Sequence, residues 1–150
     1  MKYRLLLALC GLLFIVACKK NSSPAPSPDA NSIIKAQVLA NWKLVDQKNI
    51  YYDKSGKEAK SEVIVATADQ TWGFSSATKV SSFDSRGERI YQYAINPING
   101  KQQLTLTGYN DNLIFDLIIE GNLMSWMQEQ NIDNDPAYSK VAVIFHFQKM

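Results

Sequence analysis

Few side chains in this sequence are of the types that do chemistry, and their spacing narrows what they can do. His146 is the only histidine, and it stands between Phe145 and Phe147. A strand-borne imidazole can ligate a haem iron or act as a general base. Alternation, however, places His146 opposite the Phe145/Phe147 stripe, so it is expected to face outward. No serine and carboxylate can be assigned to it as a nucleophile–base–acid set, because hydroxyls and carboxylates fall mostly in turns. Asn131, Asp133 and Asp135 have the i, i+2, i+4 spacing of a calcium loop. An EF-hand loop then needs Gly at its sixth position and Glu at its twelfth, where this chain has Pro136 and Ala142. A polar hairpin turn is the expected reading. Glu58 and Glu62, or Asp111 and Asp116, carry no sign of the burial or pairing that acid–base catalysis requires. Aromatic side chains remain. Trp72, Phe74, Tyr91, Tyr93, Phe115 and Trp126 could line an apolar cavity with a few polar handles, or simply fill a small core. No enzyme, metal centre or cofactor is expected from these patterns.

The two cysteines belong to the first residues of the chain. Lys2 and Arg4 precede an apolar run from Leu5 to Ala17 that contains Cys10, and Cys18 follows it. A basic start and a short apolar run form the layout of a secretory signal. The run is shorter than the roughly 20 residues a spanning helix needs. Its end, Ile15-Val16-Ala17-Cys18, resembles the lipobox of bacterial lipoproteins. The resemblance implies removal of residues 1–17 and attachment of diacylglycerol to the Cys18 sulfur, with palmitate-type acyl chains holding the protein to a membrane. An ordinary cleaved signal with a chance cysteine is the alternative. Lipidation would leave no free thiol for catalysis, redox exchange or metal binding. Loss of Lys2 and Arg4 takes the 16 basic and 14 acidic residues to 14 of each, so no basic field invites nucleic acid. Lys19, where an Asp would favour inner-membrane retention, leads to the expectation of an outer-membrane lipoprotein facing the periplasm.

From residue 18 to residue 30 the chain is a lipidated cysteine followed by a Pro/Ser tether, Lys19-Lys20-Asn21-Ser22-Ser23-Pro24-Ala25-Pro26-Ser27-Pro28-Asp29-Ala30. It has no large apolar residue to bury and is expected to stay unfolded. Alternating prolines favour an extended conformation that could span roughly 35 Å at about 3.1 Å per residue. One domain is expected over residues 31–150, a length suited to a single core.

What positions the aromatic residues is a series of strands. Ile33, Ile34, Gln37 and Val38 have helical spacing, with Asn31 or Ser32 able to cap the start. Turn signals then recur, among them Asp53-Lys54-Ser55-Gly56, Asp84-Ser85-Arg86-Gly87, Asn96-Pro97-Ile98-Asn99-Gly100 and Glu120-Gly121-Asn122. Between them lie strand-like runs over 42–52, 62–66, 71–75, 79–83, 89–95, 103–107, 113–120, 123–130 and 141–147. Tyr91, Tyr93 and Ile95 share a face, as do Val141, Val143, Phe145 and Phe147. Eight or nine antiparallel strands joined by hairpins form a meander, which hides its edges by closing into an up-and-down barrel of about eight strands. A β-sandwich is the alternative, and it would need longer crossing connections.

At Leu39-Ala40-Asn41-Trp42-Lys43-Leu44-Val45 the sequence resembles the lipocalin-like domains of bacterial lipoproteins, in which a Gly-x-Trp opens the first strand after a short helix. The Tyr-rich run Tyr91–Ile95, the short Leu104-Thr105-Leu106 and the closing aromatic strand 141–147 follow in a similar order. The resemblance extends over residues 33–150. It implies an all-β lipocalin-like barrel with Trp42 as a plug at its closed end. Ala40 replaces the glycine, the Asp- and Arg-containing motifs of other lipocalins are not recognisable, and Lys149 is the nearest basic residue to the arginine that covers the tryptophan there. The expected function is non-enzymatic binding of a small apolar or amphipathic ligand by a membrane-anchored protein. The alternative is a cell-envelope protein-interaction module, an inhibitor or assembly accessory, that uses the barrel exterior and loops.

Overall fold

The structure, a computed structural model, describes residues 30–150 apart from residues 68 and 110. The predicted signal, Cys18 and nearly all of the predicted tether lie outside the described residues. Helix α1 spans Ala30–Val38. It begins at Ala30, so Asn31 and Ser32 fall inside its first turn and not ahead of it. Ile34 and Val38, one helical turn apart, pack on the core, and Val38 is fully buried. The Val38 carbonyl, left without an intrahelical partner at the helix end, accepts the Trp42 indole N–H at 2.9 Å.

Nine strands follow: β1 (Asn41–Asp53), β2 (Glu58–Val65), β3 (Thr71–Phe74), β4 (Lys79–Asp84), β5 (Gly87–Ile98), β6 (Lys101–Gly108), β7 (Asp111–Glu120), β8 (Leu123–Asn131) and β9 (Tyr138–Lys149). The fold is all-β. Strands β1 and β3 to β9 form a closed antiparallel up-and-down barrel of eight strands, completed by pairing of β1 with β9. Closure brings Leu44 opposite Phe147. The β5–β6 hairpin turns on Asn99 (φ 52°) and Gly100 (φ 78°), the positive-φ pair that a two-residue turn of matching twist requires.

Strand β2 departs from a simple meander. It pairs with the later part of β1, from Asp46 to Tyr52, while β3 pairs with the first residues of the same edge, Asn41 to Lys43. The change of partner occurs at a bulge, where Val45 is the extra residue between Leu44↔Phe147 and Asp46↔His146. Backbone hydrogen bonds from Leu44 N to the Gln70 carbonyl and from Ala66 N to the Val45 carbonyl tie down the segment between β2 and β3. Strands β1 and β9 therefore continue past the barrel rim, carrying β2 as a flanking strand.

The core follows from alternation. Trp42, Leu44, Phe74, Val80, Tyr91, Tyr93, Ile95, Leu104, Leu106, Phe115, Leu117, Ile119, Met124, Trp126 and Phe147 are buried in one cluster. Strand β8, apolar on both faces in sequence, turns Met124 and Trp126 inward and leaves Leu123 exposed. Helix α1 contacts β5 and β7 and covers one end of the barrel, next to Trp42. The segment from Ala30 onward thus has one core and one closed sheet, which is what a domain needs to fold by itself.

Candidate ligand-binding site

The end of the barrel opposite α1 is not filled. A cavity of about 220 Å³ is lined by Leu44, Gln70, Trp72, Arg89, Tyr91, Leu106, Leu113, Phe115, Trp126, Phe145 and Phe147. Its walls are aromatic rings held against one another. Trp72 stacks on Tyr91 with centroids 5.8 Å apart and meets Trp126 edge-on at 4.7 Å. Trp126 also packs on Phe147 at 4.5 Å and on Phe115 at 5.5 Å. The Trp126 indole nitrogen is buried and has no hydrogen-bond partner among the described residues.

Four of the aromatic residues predicted to line a cavity, Trp72, Tyr91, Phe115 and Trp126, surround this space. Phe74 and Tyr93 do not. Their rings meet edge-on at 4.9 Å in the filled half of the core, and the Tyr93 hydroxyl donates to the Ser76 carbonyl at 2.8 Å. Burial pushes the Tyr93 phenol up from its ordinary range. Trp42 is fully buried at the helix-covered end, with the Lys149 ammonium 5.8 Å from its ring centre.

Gln70 and Arg89, which no sequence motif singles out, form the polar part of the site. They lie, with Trp72 and Tyr91, on the wall shared with a second hollow of about 170 Å³ lined also by Ser82, Phe83, Asp84 and Arg86. Ser82 pairs across strands with both Trp72 and Arg89, which places the three on one inward row. Asp84 accepts hydrogen bonds from the Arg86 side chain at 2.9 Å and from Arg89. Arg86, at both its guanidinium and its backbone N–H, holds the Asp84 carboxyl below the usual carboxylate range. Strand parity puts Arg89 on the same face as Tyr91. That this face borders a hollow at Arg89 has no counterpart in the sequence pattern.

Above the rim, the face of the β1–β2 extension that continues the barrel's inward side carries a polar network. Glu62 accepts from the Tyr51 hydroxyl at 2.9 Å and from the Asn49 amide at 3.3 Å, and pairs with Lys60 at 2.8 Å. Lys60 first, then Tyr51 and Asn49, bring the Glu62 carboxyl down to about 2. This pairing has no signature in the spacing of the residues. Asp116 likewise has a partner in Lys101 at 2.6 Å. Asp135 takes the Ala137 and Tyr138 backbone N–H groups at 2.8 and 3.0 Å, the role of a turn-forming carboxylate.

His146 faces outward, and its Nδ1 lies 2.6 Å from Asp46 Oδ1. Cross-strand pairing puts Ser125 on the other side of His146, so Ser125, His146 and Asp46 form a row on the barrel exterior. No hydrogen bond joins Ser125 to His146 among the described residues.

Comparison with models of protein families, with curated proteins and with solved structures finds no match for this chain.

Proposed function

We propose that this protein is an exported, lipid-anchored lipoprotein with a lipocalin-like barrel, that it binds a small apolar or amphipathic molecule at the open end of that barrel, and that it catalyses no reaction. The observation that carries the reading is the aromatic-walled cavity between Trp72, Tyr91, Phe115 and Trp126, open at the end away from α1. Concave, largely apolar spaces with a few placed polar groups are where small ligands bind. The cavity and the adjoining hollow together reach the low end of the usual range of roughly 300–1,000 Å³, so the ligand is small. Attachment at Cys18, with the barrel on the periplasmic face of the outer membrane, rests on Ile15-Val16-Ala17-Cys18 and on Lys19. Native mass spectrometry of the protein purified from its own host tests the binding role. A retained small molecule, released on unfolding, is the expected result. A bare protein mass from gently prepared samples would count against the proposal.

A second reading, a protein-interaction module, has its own observation. Strand β2 pairs only with β1 among the described residues, and it carries Val63 and Val65, 59% and 68% exposed, on one face. An unpaired edge is a template for strand addition by another chain. Replacing Val63 with Lys should abolish co-purification of such a partner while small-molecule retention persists.

A further inference from the structure

We infer that the ligand of this cavity is an anion, a compact apolar body ending in one carboxylate or comparable group, with the charged end received by Arg89. The inference rests on the cavity reading above and adds the chemistry of the ligand to it.

The cavity and the adjoining hollow share Gln70, Trp72, Arg89 and Tyr91, and they differ sharply in character. The first is walled by Leu44, Leu106, Leu113, Phe115 and Phe145. The second is walled by Ser82, Asp84, Arg86 and Arg89 beside Phe83. A molecule lying across both would have its apolar part against the rings and its polar end beside the guanidinium groups. Charge then decides which polar end. Two arginines meet a single carboxylate, Asp84, so the hollow holds a net positive charge. Arg86 is largely exposed, and water dissipates its field. Arg89 has a side chain only 32% exposed. One of its terminal nitrogens donates to Asp84, and its other donors meet no acceptor among the described residues. A guanidinium presents a planar fork of five donors suited to a two-oxygen acceptor. Here most of that fork stays unused beside an apolar cavity, where lowered solvent screening strengthens attraction to an anion. Gln70 and Ser82 lie on the same wall as further polar groups that can meet the carboxylate oxygens. A neutral ligand would leave the excess charge unanswered, and a cation would be repelled.

The test uses octanoate and octan-1-ol, which share an eight-carbon body and differ in the charged end. Binding to residues 30–150 is followed through tryptophan fluorescence, because Trp72 and Trp126 both wall the cavity. Octanoate should bind about tenfold more tightly than octanol. Arg89→Gln should erase that preference. Asp84→Asn, which releases both arginines from their internal partner, should strengthen octanoate binding several-fold. Because the two variants are expected to move octanoate affinity in opposite directions, loss of folding cannot imitate the pattern. Equal affinity for the two probes, untouched by Arg89→Gln, would overturn the anionic assignment and leave the cavity reading standing. Failure of both probes to bind would overturn the two together.

Discussion

Strand β9 gives the sharpest test of the register that builds this barrel. Phe147 is 2% exposed, lies against the Trp126 ring and sits opposite Leu44 at the closure. Its neighbour His146 points the other way, to a half-exposed pair with Asp46. Truncating a buried phenylalanine to alanine costs about 3–5 kcal/mol, the transfer of the ring plus the cavity left behind. Phe147 should fall within that range, since it is almost wholly buried and packs on Trp126. Phe145 shares its face and the same cavity wall but is only partly buried. Phe145→Ala should therefore cost roughly 2 kcal/mol, the same truncation discounted for partial exposure. His146→Ala removes a half-exposed hydrogen-bonded contact with Asp46 and should cost about 1 kcal/mol or less. Urea titration of residues 30–150 separates these values. At a slope of about 1–3 kcal/mol per molar, Phe147→Ala moves the midpoint by more than about 1 M and His146→Ala barely moves it. A greater loss for His146→Ala than for Phe147→Ala would place β9 one residue out of register. Every inward residue assigned on that strand would then face solvent.

Trp42→Phe should destabilise the barrel more than Trp126→Phe, by about 1–3 kcal/mol in thermal or chemical melts. The first strands the Val38 carbonyl that its indole N–H now satisfies, whereas the second removes a buried N–H that has no partner. Glu62, held down to about 2 in the folded protein from an ordinary 4.5, contributes stability that is complete above about pH 4.5 and fades as pH falls toward 2. Denaturant midpoints of Glu62→Gln and the parent should therefore differ by a constant amount near neutrality and converge in acid; a gap that widens below pH 4 would contradict the network. Cys18→Ser should release the mature protein from the membrane fraction on cell fractionation, and a variant still firmly bound would rule out the acyl anchor. Protease added to intact cells should leave the protein uncut if it faces the periplasm.

Much of the barrel is legible in the amino-acid sequence, because period-two alternation records which face of each strand meets the core. Phe145 and Phe147 on one parity and His146 on the other define the inward face of β9. The Tyr91-Tyr93-Ile95 run does the same for β5, and Asn99-Gly100 marks its hairpin. Strand β8 is illegible by the same rule. Leu123, Met124, Trp126 and Met127 offer apolar residues on both parities, and only packing against β7 and β9 selects Met124 and Trp126.

The displacement of β2 from the barrel depends on a bulge at Val45, and a single extra residue leaves no signature in an alternating run. The site divides along the same line. Residue types and their order suffice to show that aromatic residues crowd the inward positions. They suffice also for the lipobox-like end of the first apolar run. It takes the folded barrel to separate Phe74 and Tyr93, which fill the core, from Trp72, Tyr91, Phe115 and Trp126, which border space, and to bring Arg89 to the same cavity. Alternation specifies the face on which a side chain lies. Whether that face is packed or hollow depends on side chains contributed by several strands far apart in sequence, and it is settled only when the barrel closes.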